Sequence, residues 1–258
     1  MERDDDKETT VIQRQNRNQL MNKRRIATLA VGLVCLFMPL LAIAGGDDTE
    51  QARVKASGDV LKELLTGPNG VPLNLVNKAE CVIVLPSVKK AGFIVGAQYG
   101  RGVMTCRSGD NFDGAWSAPI MMQSSGGSFG LQIGGEATDF VILVMNDKGA
   151  RAVLHGKAKL GGDASVAAGP VGRDAEASTN AAMSAEMLSY SRAHGVFGGV
   201  SLSGTSLGPD DGANEKIYGK KISGQEVFSG SVKPPDSAQV LLSTLQEKSP
   251  TNDSRGKS

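Results

Sequence analysis

Beyond Glu80 the apolar residues stop recurring every three or four positions and begin to alternate, and this change of period decides the fold class. Cys81 to Leu85 is a short apolar run. Phe93, Val95 and Ala97 alternate toward a turn at Tyr99-Gly100-Arg101-Gly102, and Val103 to Arg107 forms the return. Ala118, Ile120 and Met122 alternate into a second turn at Ser124-Ser125-Gly126-Gly127, and Phe129, Leu131 and Ile133 alternate on the way back. Phe140 to Met145 is apolar throughout, the pattern of a strand covered on both faces. Asn146-Asp147-Lys148-Gly149 ends it, Arg151 to His155 reads as one helical turn, and strand signals continue to about Phe228. The 33 glycines among 258 residues are nearly twice the usual share of about 7%. Glycine at that level within strand-like segments brings backbones close together or bends them. These signals predict an α+β domain built on a largely antiparallel, Gly-rich sheet, curled or closed into a barrel.

Amphipathic helices flank that sheet. From Thr49 to Thr66, residues Ala52, Ala56, Val60, Leu61, Leu64 and Leu65 fall on one face, with Arg53, Lys55 and Lys62 off the stripe, and Gly67-Pro68 stops the helix. Such a segment either caps a core or lies on a membrane surface. A short helix is expected from Pro72 to about Lys78. A last helix opens at Ser237 and carries Val240, Leu241, Leu242 and Leu245. The polar tail from Ser249 to Ser258 reads as disordered. Residues 45–248 are therefore expected to form one domain.

The first 44 residues read as an address. Lys23-Arg24-Arg25, the apolar run Ile26 to Leu41 and Ala42-Ile43-Ala44 follow the order of a secretory signal, with cleavage after Ala44 and a periplasmic or secreted product. Asp4-Asp5-Asp6 suits such a leader poorly, and a start at Met21 removes the difficulty. The run is also close to the shortest membrane-spanning helix, about 17 residues, so an uncleaved anchor is the competing reading, with Pro39 arguing for cleavage. Lipid attachment at Cys35 is disfavoured because Gly32-Leu33-Val34 lacks a small residue just before the cysteine. Cys81 and Cys106 remain after processing; an oxidising compartment permits them to pair, and two buried free thiols fit their apolar surroundings equally well. The near-neutral balance, net charge +1, argues against a nucleic-acid partner.

Catalytic patterns fail one by one. Ser191 lies near His194, but a histidine between arginine and glycine in a turn is usually a solvated polar residue, and no G-x-S-x-G elbow surrounds either. Gly199 to Ser206 nearly reproduces a phosphate loop, yet Thr205 stands where the phosphate-neutralising lysine belongs. No Cys or His spacing suits zinc. The sequence names no catalytic residue, cofactor or metal site.

Identity is carried instead by four runs in order: "AECVIVLPSVKKAGFIVGAQYGRGVM", "GAWSAPIMMQSSGGSFGLQIGGEATDFVILVMND", "LGGDASVAAGPVGR" and "SYSRAHGVFGGVSLSG". Together they resemble the SYLF domain family, known from yeast actin-patch proteins and from FYVE-containing proteins. The resemblance, from about Gln51 to Phe228, implies a non-catalytic domain that binds phosphoinositides or other anionic phospholipids through an N-terminal amphipathic helix and a basic surface. It makes Arg53, Lys55 and Lys62 on the helix, Lys89 and Lys90 between the first two strands, and Arg101 in the following turn the expected headgroup contacts. Some members of the family bind actin, which an exported chain would not meet, and no SH3 or FYVE module accompanies the domain in this sequence. The alternative is an envelope structural protein, or a carrier of a buried apolar ligand, with the first helix capping the core.

Overall fold

A computed structural model describes residues 49–254 except 68–69, 93–94, 130–135, 157, 172–183 and 194–195. The leader, the cleavage site at Ala44, Cys35, Leu131, Ile133 and His194 lie outside the described residues.

Alternation in the sequence becomes a nine-stranded sheet: β1 (Cys81–Gly92), β2 (Val95–Cys106), β3 (Ile120–Phe129), β4 (Glu136–Val144), β5 (Ala158–Lys159), β6 (Val166–Ala168), β7 (Met187–Ala193), β8 (Val196–Gly199) and β9 (Thr205–Pro209). The spatial order is β5-β9-β3-β2-β1-β4-β7-β6, with β8 also paired to β7. Every pairing is antiparallel except β6 with β7. The two ends of this order, β5 and β6, follow one another in the chain, and Leu160 bridges Ala164 between them. The sheet therefore curls until its edges lie one tight turn apart, the curled α+β architecture the strand pattern predicts.

Neither expected Gly-rich turn is a turn. Tyr99 to Gly102 lies inside β2 and Ser124 to Gly127 inside β3, and the two stretches face each other: Tyr99 pairs with Ser125, Gly100 with Ser124 and Gly102 with Met122. The ladder runs unbroken through both stretches where local composition alone reads as a chain reversal. Among the described residues from Leu160 to Val171, Val166–Ala168 form a strand. Strands β7 and β8 pair beside Arg192, with Tyr190 opposite Gly199 and Ala193 opposite Val196, while Val200 and Leu202 stand outside the ladder.

Among the described residues six helices flank the sheet: α1 (Glu50–Thr66), α2 (Leu73–Lys78), α3 (Asp147–Leu154), α4 (Asp211–Tyr218), α5 (Gly224–Phe228) and α6 (Gln239–Lys248), the last preceded by a 3-10 turn at Asp236–Ala238; α1, α2, α4 and α6 pack on the outer core, while α3 and α5 pack on the inner one. Thr49 caps α1 by accepting from the Ala52 N–H at 3.2 Å. Helices α4 and α5 replace the strand signals expected up to Phe228. Their marks were present in the sequence: Asp210 accepts from the Ala213 N–H, and Ser223 with Glu226 forms a capping box.

Because each central strand is buried on both faces, two cores form. Ile83, Leu85, Met104, Ile120, Met122, Phe140, Ile142 and Leu207 fill the inside of the curl. Val82, Val84, Val103, Val141, Leu143 and Leu188 meet Leu61, Leu64, Leu241 and Leu245 of the helices. Among the described residues, a small cavity inside the curl, lined by Leu85, Val88, Phe140, Ile142 and Leu207 among others, is about 10 Å³, no more than one water needs. Cys81 and Cys106 are cross-strand partners and form a disulfide, which resolves the choice between paired and free thiols.

Glycine matters most where two elements nearly touch. A Cβ on Gly58 of α1 would stand 2.8 Å from the Leu241 backbone nitrogen of α6, and one on Gly169 would stand 2.0 Å from Cζ of the buried Tyr190. From Ser249 to Ser254 the tail makes contacts with the domain. Ser249 is fully buried, its hydroxyl accepting from Arg107 Nη2 at 2.7 Å and its carbonyl from Trp116 Nε1 at 2.9 Å. Asn252 donates to the Phe112 carbonyl and the Asp253 N–H to the Asn77 carbonyl, each at 2.7 Å. Polar composition suggested a solvated tail; buried donors waiting on the sheet dictate otherwise.

Candidate functional site: a basic groove between the first helix and the sheet

The site begins with a local irregularity. The register of β1 shifts between Leu85 and Val88, at Pro86-Ser87, and Ser87 has φ 51. Its N–H donates to Asp139 Oδ1 of β4 at 2.8 Å. The shift leaves Val88 on the inner face, so Lys89 emerges on the helix side while Lys90 turns inward, its Nζ 5.2 Å from the centroid of the Phe140 ring. Adjacent lysines thus lie on opposite faces of the sheet and do not act as a pair. Both sit in β1 rather than between the first two strands, and Arg101 sits in β2 rather than in a turn.

Helix α1 and strands β1 and β2 enclose a groove of about 280 Å³, whose lining includes Arg53, Ala56, Ser87, Lys89, Tyr99 and Arg101. Three of the six expected contacts, Arg53, Lys89 and Arg101, meet here, each from a different element. Arg101 is half-exposed; its Nε donates to Tyr99 Oη at 2.5 Å and stands 3.4 Å from Asp210 Oδ2. Tyr99 is one of the exposed large apolar side chains and forms the rim. Arg53 is buried, although the helical wheel put it off the apolar stripe. The stripe is rotated from the expected one: Ala52 and Ala56 are partly exposed, while Arg53, Val54, Ser57 and Gly58 turn inward.

The remaining expected contacts stand elsewhere. Lys55 is exposed and pairs with Asp59 on its own helix at 3.4 Å, and Lys62 is exposed further along α1. Val54, Leu61 and Leu64 are completely buried in the outer core, so the apolar face of α1 caps the domain and is not free to enter a bilayer. Among the described residues no helix is long and apolar enough to cross a membrane.

The rejected catalytic stretch is structural. Ser191 is in β7 opposite Phe140 and Gly198, and Thr205, at the position where a phosphate loop carries its lysine, lies in β9 with its hydroxyl accepting from Gln98 Nε2 at 2.6 Å. Arg192 of this stretch does have a visible part to play. Its Nε and Nη2 donate to Asp139 Oδ2 at 2.8 and 2.5 Å, and its Nη1 donates to Glu63 of α1. Burial opposes its charge, but these two carboxylates outweigh it and hold the guanidinium above its usual range.

Residues 125–248 match the Ysc84 family model, described as Las17-binding protein actin regulator. The SH3 domain-containing protein PJ696.02 of Schizosaccharomyces pombe is 36% identical over 208 residues, 77% of this chain and 47% of that protein. This chain carries a Ysc84 (SYLF) domain. Protein YSC84 of Saccharomyces cerevisiae is 35% identical over 181 residues, 69% of this chain and 38% of that protein. The human SH3 domain-containing YSC84-like protein 1 is 34% identical over 202 residues, 76% of this chain and 58% of that protein. The chain spans about half the length of the curated relatives it matches. The Ysc84 model begins within β3, so α1, β1 and β2, which build the groove, lie before it. Sequence reasoning missed Ser87 and Tyr99; Pro86-Ser87 interrupting an apolar run was the available signal of a bulge.

Proposed function

We propose that this SYLF domain is a non-catalytic module that binds anionic phospholipid headgroups at a membrane surface, with the groove as its binding site. The observation that carries the reading is the convergence of Arg53, Lys89 and Arg101 from α1, β1 and β2 on one groove with Tyr99 at its rim. A phosphate offers oxygens to several N–H donors at once, which arginine matches with a planar fork. A tyrosine with its ring at the headgroup level and its hydroxyl in water suits the same surface. Each basic side chain near an anionic bilayer contributes about 1 kcal/mol, so three give roughly a hundredfold preference and reversible attachment. The helix contributes a wall and a cation rather than an inserted apolar face.

The test is flotation of the full chain with phosphatidylcholine vesicles, with and without phosphatidylserine or a phosphatidylinositol phosphate. Recovery should rise with the anionic lipid and fall with added salt, and Arg101→Gln should lower it about fivefold to tenfold. Equal recovery with neutral and acidic vesicles would sink the proposal. We also retain export as the location, which the Cys81–Cys106 disulfide favours; protein isolated with both thiols free would count against it. The family description favours a second reading, a partner in actin regulation, which co-sedimentation with actin filaments tests.

A further inference from the structure

Ser87 is a non-glycine residue in the left-handed region, a conformation that persists only where its surroundings over-determine it. What holds it is one carboxylate. Asp139 accepts the Ser87 N–H on Oδ1 and two N–H groups of Arg192 on Oδ2, and the remaining arm of Arg192 donates to Glu63. Asp139 and Arg192 are mostly buried, whereas Glu63 is half-exposed. None of the three lines the groove. They run behind it and tie its two walls to the same point: the β1 bulge through Ser87, and α1 through Glu63. Glu63 and Arg53 are ten residues apart on one helix, about 15 Å, so anchoring one end governs where the other lies.

We infer that Asp139 and Arg192 are positioning residues of the basic groove: they fix the Ser87 bulge and the angle of α1 together, and so set the gap across which Arg53, Lys89 and Arg101 act. The arginine of the "SYSRAHG" run thereby acquires a role that is neither catalytic nor merely part of a hairpin. This inference rests on the headgroup-binding reading for what enters the groove, while the strap itself is a matter of hydrogen bonds. Mutating Asp139 should disturb the site without removing any group that touches a ligand.

The experiment compares the full chain with Asp139→Ala, Asp139→Asn, Glu63→Gln and the groove-lining Arg101→Gln. It measures affinity for phosphatidylcholine vesicles containing phosphatidylserine, together with the amide resonance of Ser87. Asp139→Ala should shift that resonance and weaken binding about tenfold, the equivalent of one charge-assisted hydrogen bond. Asp139→Asn keeps an acceptor for Ser87 but loses the charge facing Arg192, so it should recover part of both. Arg101→Gln should weaken binding and leave the Ser87 resonance in place, a separation that general destabilisation would not produce. If the Asp139 variants shift Ser87 yet bind anionic vesicles like the unaltered chain while Arg101→Gln does not, the positioning role is wrong and the headgroup reading stands. If the unaltered chain shows no preference for anionic vesicles, both are wrong. Should the Asp139 variants fail to fold, Glu63→Gln decides: a threefold or so loss supports the strap, and unchanged binding overturns it.

Discussion

Removing the last ten residues, by truncation after Lys248, tests whether the tail is part of the domain or an appendage. Arg107 is fully buried, with its ring-facing guanidinium 4.3 Å from the Trp116 centroid, Nε donating to the Ala79 carbonyl and Nη2 to Ser249. Burial already pushes this guanidinium down to about 10, so it has little tolerance for losing a partner. Truncation removes that charge-assisted bond, about 1.5–3 kcal/mol, and the Trp116 to Ser249 bond, about 1 kcal/mol, leaving both donors buried. The bonds from Asn252 and Asp253 are more exposed and add about 1 kcal/mol together. The sum is about 3–5 kcal/mol. A domain of roughly 200 residues loses about 2–4 °C in Tm for each kcal/mol, so differential scanning calorimetry should show a fall of at least about 6 °C. Ser249→Ala, which removes only the Arg107 bond, should give about half of it. If the truncated chain melts within about 2 °C of the full chain, water satisfies Arg107 and Trp116 as well as the tail does, and the argument fails.

Three further outcomes follow from single contacts. Gly58→Ala forces α1 away from the α6 backbone and should cost about 1–2 kcal/mol in urea unfolding despite alanine's better helix propensity, whereas Gly169→Ala meets the Tyr190 ring head-on and should cost about 3 kcal/mol or more. For Glu186, burial raises the carboxyl pKa, but Lys148 at 2.6 Å and the Ser165 N–H at 2.7 Å outweigh it, so the group stays below its usual range. Its contribution is present above the unfolded glutamate pKa and is lost as pH falls through the lower folded value. Glu186→Gln should therefore lower Tm at neutral pH and converge with the unaltered chain in acid; an equal gap at both pH values would refute that linkage. Lys90→Gln should leave anionic-vesicle binding nearly unchanged while Lys89→Gln weakens it, because only Lys89 faces the groove; equal losses would contradict the register of β1.

Much of the fold could be read along the chain, and the failures have a common cause. The run from Phe140 to Val144 was visible as a doubly covered strand because every side chain must be apolar there. The stretches Tyr99 to Gly102 and Ser124 to Gly127 were misread because glycine and serine signal turns in isolation, and only their mutual pairing makes them strand. The site was half legible. Charge drew attention to Arg53, Lys89 and Arg101, but equally to Lys55, Lys62 and Lys90, which stand elsewhere. Asp139 and Arg192 carried no local signal, since a carboxylate and a guanidinium 53 positions apart become a pair only across the β4–β7 ladder.

What the sequence by itself determined is whatever depends on neighbours within a few residues: the period-two strands, the amphipathic faces of α1 and α6, the caps at Thr49 and Ser223, and the four runs that mark a SYLF domain. Tertiary structure decided which of those pieces meet. A shift of register at Pro86-Ser87 sends Lys89 toward the helix and Lys90 toward the interior, and the packing of α1 on α6 turns Arg53 inward while committing Leu61 and Leu64 to the core. Periodicity fixes the face a residue occupies relative to its neighbours, but the absolute direction of that face is set by contacts between elements distant in the chain.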